Sequence, residues 1–138
     1  MRTVLVTGAT GAIGSELTRY LLAESNTNVR LLIRANSDEH LDRRLRELFR
    51  FWGLESDASV AARVAAFAGD VTQPRLGLDE AAWDRLAGEV TNVIHSAGNV
   101  KLNRPLAEAR QSAVDSVRHV VSFADVCRTR GVFRKLEY

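Results

Sequence analysis

With 138 residues, 46% of them hydrophobic and 26% charged, the chain has the make-up of one soluble globular domain that buries roughly two thirds of its unfolded surface. No apolar run approaches the roughly 20 residues that cross a bilayer, no signal-peptide pattern opens the chain, and a single cysteine, Cys127, excludes an internal disulfide, so a cytoplasmic setting is expected. The net charge is only +2, and the basic run Arg43, Arg44, Arg46 and Arg50 lacks the interleaved exposed aromatics of a nucleic-acid face, because Phe49, Phe51 and Trp52 are expected to extend a helix's apolar stripe.

Short apolar runs alternate with amphipathic stretches, the pattern of βα units around a parallel sheet. A first strand is expected over residues 2 to 7. A helix from about Ala12 to Glu24 follows, with Ile13, Leu17, Tyr20 and Leu21 at helical spacing. Residues 25 to 28 read as a polar turn and Val29 to Ile33 as a second strand. Asn36 and Glu39 have capping-box spacing, ahead of a helix lined by Leu41, Leu45, Leu48, Phe49 and Trp52. A third strand covers Val64 to Phe67 and ends at Gly69-Asp70. Asp79 caps a short helix carrying Trp83 and Leu86, and Val90 to His95 is the fourth strand. Pro105 opens a long helix with Leu106, Ala109, Ala113, Val117, Val120 and Ala124 on one stripe; Gly131 closes it, and residues 132 to 138 begin a fifth strand. Right-handed crossovers give a Rossmann-like doubly wound sheet of order 3-2-1-4-5, one domain over residues 1–138, with a crevice at the carboxyl ends of strands 1 and 4.

The first βα turn carries a phosphate signature. Gly8, Gly11 and Gly14 recur at a spacing of three between a strand and a helix. The first two are expected to let the backbone approach a diphosphate and adopt positive φ, and the third to let the helix pack closely on the strand. The helix N-terminus then turns its free N–H groups and positive dipole toward the anion. The candidate binding residues in this turn are Thr7, Gly8, Thr10, Gly11, Ala12, Ile13 and Gly14.

The spacing Gly-x-x-Gly-x-x-Gly after a Thr resembles the extended short-chain dehydrogenase/reductases. Arg30 to Ala35, Arg44-Leu45, the segment Gly69-Asp-Val-Thr-Gln-Pro-Arg-Leu-Gly-Leu78, Trp83 and Val93-Ile-His-Ser-Ala-Gly98 follow in an order similar to the thioester reductase family. That family includes terminal reductase domains of nonribosomal peptide and polyketide synthases, carboxylic acid reductases and fatty acyl-CoA reductases of the male-sterility type. The resemblance implies a reductase that moves hydride from NADPH to a carrier- or CoA-bound acyl thioester, giving aldehyde or alcohol.

At the end of the second strand, an Asp or Glu would bond the free ribose 2′-hydroxyl of NAD. Arg34 stands there, with no acid before Asp38, and Arg44 matches the basic residue of the family's Arg-Leu pair; both suit a 2′-phosphate and hence NADP(H). The competing reading makes them surface ion-pair partners. The resemblance places Asp70 at the adenine edge and Val71 in the adenine pocket, while Asp70 read by itself is also a turn cap. Ser96, Ala97 and Gly98 are small enough to admit the nicotinamide ribose and diphosphate. His95 is expected to be a packed strand residue and His119 a helix-surface one, and no metal-ligand spacing occurs.

The family's catalytic Tyr-x-x-x-Lys pair is missing: the only tyrosines are Tyr20 and Tyr138, and the only lysines Lys101 and Lys135. Ala113 also stands where related sequences carry Asn. The expectation is therefore no catalytic residue in this chain, which is read as the amino-terminal, cofactor-binding part of a larger reductase. A non-catalytic nucleotide-binding or NADP-sensing module is the alternative; the Gly69 to Leu78 segment disfavours a sugar-nucleotide epimerase.

Overall fold

The apolar strands run hydrophobic on both sides, which a parallel sheet covered on both faces requires. In the computed structural model, which describes residues 1–98, 101 and 103–138, the strands are β1 (Arg2–Thr7), β2 (Thr27–Ile33), β3 (Val64–Ala68), β4 (Asn92–His95) and β5 (Lys135–Glu137). They form one parallel sheet ordered β3-β2-β1-β4-β5, with Val4 opposite Val29 on one side and Asn92 on the other. This is the Rossmann-like order expected from the alternation of elements.

Alternate residues of the central strands feed two separate cores. Val4, Val6, Val29, Leu31 and Ile33 pack under α1 (Ala12–Ala23), α2 (Asp38–Trp52) and α3 (Ala58–Ala61). Leu5, Leu32 and Val93 pack under α4 (Glu80–Glu89) and α6 (Ser116–Thr129), which contribute Trp83, Leu86, Val120 and Phe123. Trp52 donates its indole N–H to the Ser15 carbonyl at 3.0 Å and so ties α2 to α1.

Several boundaries and faces differ from the sequence reading. β2 starts at Thr27 because residues 27 and 28 pair with Arg2 and Thr3, so the polar turn is shorter. Ser37, not Asn36, caps α2, its hydroxyl accepting from His40 N at 3.1 Å. Phe51 is exposed, one position off the stripe that buries Leu48 and Trp52. Val90 ends α4, so β4 begins only at Asn92. The fifth strand narrows to Lys135–Glu137.

Two helices present faces other than expected. On α1, Ile13 and Tyr20 are exposed, and the buried side is Gly14, Ser15, Thr18, Leu21 and Leu22. Small residues win this face because the helix starts in contact with the strand ends. The long helix after Pro105 is interrupted: α5 (Leu106–Arg110) runs into a π-helical stretch over Gln111–Asp115 and then α6. A π turn holds an extra residue, which rotates everything beyond it by roughly one residue's 100°. The expected stripe therefore fails at its start, with Leu106 and Ala113 exposed, while Ser116, Val120, Phe123, Ala124 and Cys127 are buried.

The glycine turn itself separates into distinct roles. Gly8 adopts φ +75°, and a Cβ there would meet the Ala97 nitrogen at 2.5 Å. A Cβ at Gly14 would overlap the Gly8 carbonyl and sit 2.7 Å from Ser96 Oγ. Gly11 has an ordinary φ of −83°, correcting the positive value expected for it, and a Cβ there would meet only the Gly8 oxygen at 3.3 Å.

These contacts set up a stability comparison. Gly14→Ala forces overlap with backbone and should cost about 1–3 kcal/mol in urea denaturation. Gly88→Ala adds a Cβ within α4 with nothing inside 4 Å. It should stabilise the chain by about 0.5–1 kcal/mol.

Candidate functional site

The sheet order reverses between β1 and β4, and a crevice opens beyond their carboxyl ends as the topology demands. It holds a cavity of about 700 Å³, within the range of small-molecule sites. Its floor is the first turn (Thr7, Gly8, Thr10 and Gly11) together with Ser96, Ala97 and Gly98 after β4. The turn closes through Gly11 N–H donating to the Gly8 carbonyl at 3.0 Å.

Thr7 binds the two strand ends together. Its carbonyl accepts from Ser96 Oγ at 2.7 Å and from Ser96 N at 3.2 Å, and its hydroxyl oxygen accepts from Ala97 N at 3.3 Å. The same hydroxyl lies 2.7 Å from His95 Nδ1. His95 is 9% exposed, as a packed strand residue should be, and desolvation holds its imidazole below the ordinary value of 6.5.

One end of the cavity carries Arg34 and Arg44. Arg34 follows β2, is exposed, and its guanidinium has no hydrogen-bond or ion-pair partner among the described residues. Arg44 reaches back from α2 to donate to the Arg34 carbonyl at 2.6 Å, with no carboxylate attached. Arg30 lies elsewhere. It is 9% exposed and meets Glu89 of α4 with Nε to Oε1 at 2.7 Å and Nη2 to Oε2 at 3.2 Å.

Asp70 and Val71 line the cavity beside the end that carries Arg34 and Arg44, in the loop that the Gly69 to Leu78 segment forms, where Gly69 N donates to the Ile33 carbonyl at 3.0 Å. Asp70 is indeed a turn cap: its Oδ1 accepts from Thr72 N at 2.8 Å and from Thr72 Oγ1 at 2.7 Å. Its Oδ2 has no partner among the described residues. The loop then turns through Arg75, Leu76 and Gly77, all left-handed, at φ 55°, 57° and 62°. Leu76, fully buried, anchors that turn in the core, and its carbonyl accepts from Asp70 N at 2.7 Å. The Arg75 guanidinium covers the Trp83 ring at 5.0 Å. His119 is not a plain surface residue, since its Nδ1 donates to the Val71 carbonyl at 2.9 Å.

Of the candidate residues, Ala12, Ile13 and Gly14 do not line the cavity. Gly14 lies behind the turn, and the Ile13 side chain is exposed. The lining also includes residues the sequence did not single out. Leu32, Ile33, Gly69 and Thr72 flank predicted positions at strand ends and were within reach of the strand-end rule. Arg104, Glu108, Gln111 and Ser112 come from the helix after β4. Their only sequence signal is the polar pair Gln111-Ser112 breaking an apolar stripe. Among the described residues no cluster could hold a metal ion, and burial pushes the Cys127 thiol up to about 12, which makes it a poor nucleophile.

Residues 6–135 match the male sterility protein family, and the chain belongs to it, within the extended short-chain thioester reductases. It is 42% identical over 106 residues to the isonitrile lipopeptide synthase of Mycobacterium tuberculosis, covering 72% of this chain and 4% of that protein. Among solved structures it is similar to the terminal R domain of the myxalamid PKS-NRPS pathway, with a TM-score of 0.79 at 28% identity over 99% of this chain and 34% of that one. It is also similar to the reductase domain of a nonribosomal peptide synthetase from Mycobacterium tuberculosis, with a TM-score of 0.73 at 31% identity over 99% of this chain and 32% of that one. The chain thus spans about a third of these reductase domains and only a few per cent of the synthase. Membership sets the cofactor class as a nicotinamide dinucleotide.

The His95 environment generates a pH prediction. Its folded imidazole titrates below 6.5, so the unfolded chain takes up the proton first as pH falls. Stability contributed by neutral His95 is therefore complete above about pH 6.5 and declines as pH drops toward the folded value. Urea titrations between pH 7.5 and pH 5 should show this decline, and a His95→Asn variant should show a shallower one.

Proposed function

We propose that this chain is the NADP(H)-binding portion of a reductase that passes hydride from NADPH to a carrier- or CoA-bound acyl thioester, yielding aldehyde or alcohol. The observation carrying the cofactor choice is the pair Arg34 and Arg44 at the end of β2, neither neutralised by a carboxylate. A free guanidinium grips a phosphate bidentately, and an acid at this point would repel one.

The rest of the cleft fits the remaining cofactor groups. The turn around Gly11 leaves open the space a Cβ would fill, so a diphosphate can approach the backbone there. Thr10 and the first N–H groups of α1, from Ala12 and Ile13, would face it while Gly14 keeps the helix close. Asp70 keeps Oδ2 for the adenine edge and Val71 supplies an apolar wall. Ser96, Ala97 and Gly98 leave room for the nicotinamide ribose. When bound, the dinucleotide supplies the hydride; these residues hold and orient it.

Family membership and the synthase setting of the relatives support the thioester substrate. Neither tyrosine is available for proton donation at the cleft: Tyr20 is 65% exposed on the outer face of α1 and Tyr138 is 93% exposed. We therefore assign the chain binding and orientation, with the acid supplied by residues outside it. Carrier protein or CoA is the proposed partner, nucleic acid is not, and the cytoplasm is the proposed compartment. No helix among the described residues is long and apolar enough to cross a membrane.

Two substitutions test the assignment by calorimetry. Loss of a charge-assisted phosphate contact costs roughly 1.5–3 kcal/mol, so Arg34→Ala should weaken NADPH binding about tenfold or more and leave NADH nearly unchanged. Equal losses for both would remove the 2′-phosphate from Arg34. Gly11→Val places a branched side chain in the open space of the turn at a backbone conformation, φ −83° and ψ 169°, that valine adopts readily. The variant should fold and lose cofactor binding; a folded variant with wild-type affinity would put the diphosphate elsewhere.

A further inference from the structure

Val71 faces the cavity from a loop held almost entirely by its own bonds. Asp70 N donates to the Leu76 carbonyl, Gln73 N to the Asp70 carbonyl, and Leu76 N to the Gln73 carbonyl, at 2.7, 3.0 and 3.1 Å. None of these three involves the Val71 peptide, which is held on its N–H side by Thr72 N donating to Asp70 Oδ1 at 2.8 Å, while the Val71 side chain rests against the core. The Val71 carbonyl has a single hydrogen bond among the described residues, from His119 Nδ1, 48 positions away in sequence on α6. A carbonyl only accepts, so that nitrogen carries the proton, and the ring is held in one tautomer whenever it is neutral.

The helical run that holds His119 also forms part of the cavity's other wall. Gln111 and Ser112 line the cavity from the π-helical stretch, and His119 follows Ser112 by about two turns. Ser116, between them, donates its hydroxyl to the Ser112 carbonyl at 2.6 Å and stiffens the junction. One helix thus contributes residues to one side of the cleft and a tie to the other. The tie ends on the residue read above as the adenine wall.

We infer that His119 is a positioning residue for the nucleotide, holding Val71 through its carbonyl at the adenine end of the cleft. The inference rests on the cofactor reading given above. Without the bond, the Val71–Thr72 peptide keeps only its local tie, from Thr72 N to Asp70 Oδ1 at 2.8 Å, and its carbonyl loses its one link to α6, while the Asp70–Leu76 bonds keep the rest of the loop in place. The effect is then local to adenine-bearing ligands and is not a general loss of fold.

The test uses 2′,5′-ADP as probe, with its Kd measured by calorimetry for the 138-residue chain and its variants. His119→Leu removes the donor. His119→Gln carries an amide too long to reproduce Nδ1. His119→Asn places an N–H close to the position of Nδ1. Val120→Ala, the neighbouring fully buried residue, lowers stability without touching the tie. A net hydrogen bond of this kind corresponds to about fivefold in affinity. The expected result is about fivefold weaker binding for His119→Leu and His119→Gln, recovery to within about twofold for His119→Asn, and no change for Val120→Ala. Folded His119→Leu or His119→Gln with wild-type affinity overturns the inference. So does an equal loss in His119→Asn, or in Val120→Ala, because affinity would then follow stability alone. Wild-type protein that fails to bind 2′,5′-ADP at millimolar concentration overturns the cofactor reading itself, a result distinct from any of these.

Discussion

Three stretches of backbone meet at the carboxyl ends of β1 and β4 with no space for a side chain between them. Gly8 lies against the Ser96–Ala97 peptide, and Gly14 brings the first turn of α1 against Gly8 and Ser96. Thr7 then bonds both the main chain and the hydroxyl of Ser96. Everything else in the cleft takes its position from this junction. If α1 stood one side-chain radius further out, Thr10 and Gly11, which lead into it, would no longer share the cavity floor with Ser96 and Ala97. The buried face of α1 shows the same constraint, being made of Gly14, Ser15 and Thr18 before any large residue occurs. Ile13 and Tyr20 consequently face outward, at an apolar cost the close approach makes unavoidable.

A second constraint lies in the loop from Gly69 to Leu78. Two non-glycine residues in the left-handed region are unusual, and each costs of order 1 kcal/mol or more. The turn survives because its neighbours over-determine it. Leu76 is fully buried, Leu78 nearly so, and Gly69 has no room for a Cβ against Leu32 and the Leu76 carbonyl. The gain is a rigid wall. Asp70 is held by Thr72 and by its own N–H, so one carboxylate oxygen is committed to the turn and the other remains available. The cap reading and the binding reading of Asp70 are compatible, because a carboxylate has two oxygens.

What was legible in the sequence is what repeats at short range. Strand order, the two-sided core and the glycine turn follow from the alternation of apolar runs, the spacing of Gly8, Gly11 and Gly14, and the crossover rule. The cleft-lining positions at strand ends follow for the same reason, since a strand's last residue is visible in its hydrophobic pattern. Features that depend on distant partners were hidden. The π-helical stretch leaves no compositional mark, and its rotation of the stripe moved Leu106 and Ala113 to the surface while burying Ser116. The bond from His119 to Val71 joins residues with no common local pattern, so the histidine read as a surface one. The Ser37 cap was a near miss: Asn36 is chemically equivalent, and only the backbone geometry of residue 37 decides between them.

The arginines show why location outweighs composition here. Most are neutralised by acids close by: Arg2 by Glu24, Arg19 by Glu16, Arg50 by Glu55, Arg128 by Asp125 and Arg130 by Asp84. Such exposed pairs contribute little to stability, yet they occupy the guanidinium. Arg30 is spent differently, its fork closed by Glu89 of α4, where removing the carboxylate would strand the largely buried guanidinium. Arg63 donates to the carbonyls of Leu22, Glu24 and Thr27, serving the end of α1 that lacks a glycine cap. Only after these assignments does the state of Arg34 and Arg44 acquire meaning. They have no ion pair among the described residues, a state shared by the exposed Arg43, Arg46, Arg110 and Arg134, and what sets them apart is that both line the cavity. A carboxylate within reach would have lowered the local potential and competed with any incoming phosphate. Asp70 lines the same cavity, yet among the described residues its carboxylate makes no ion pair with either arginine, being committed through one oxygen to Thr72, so neither guanidinium is tied up by an acid there.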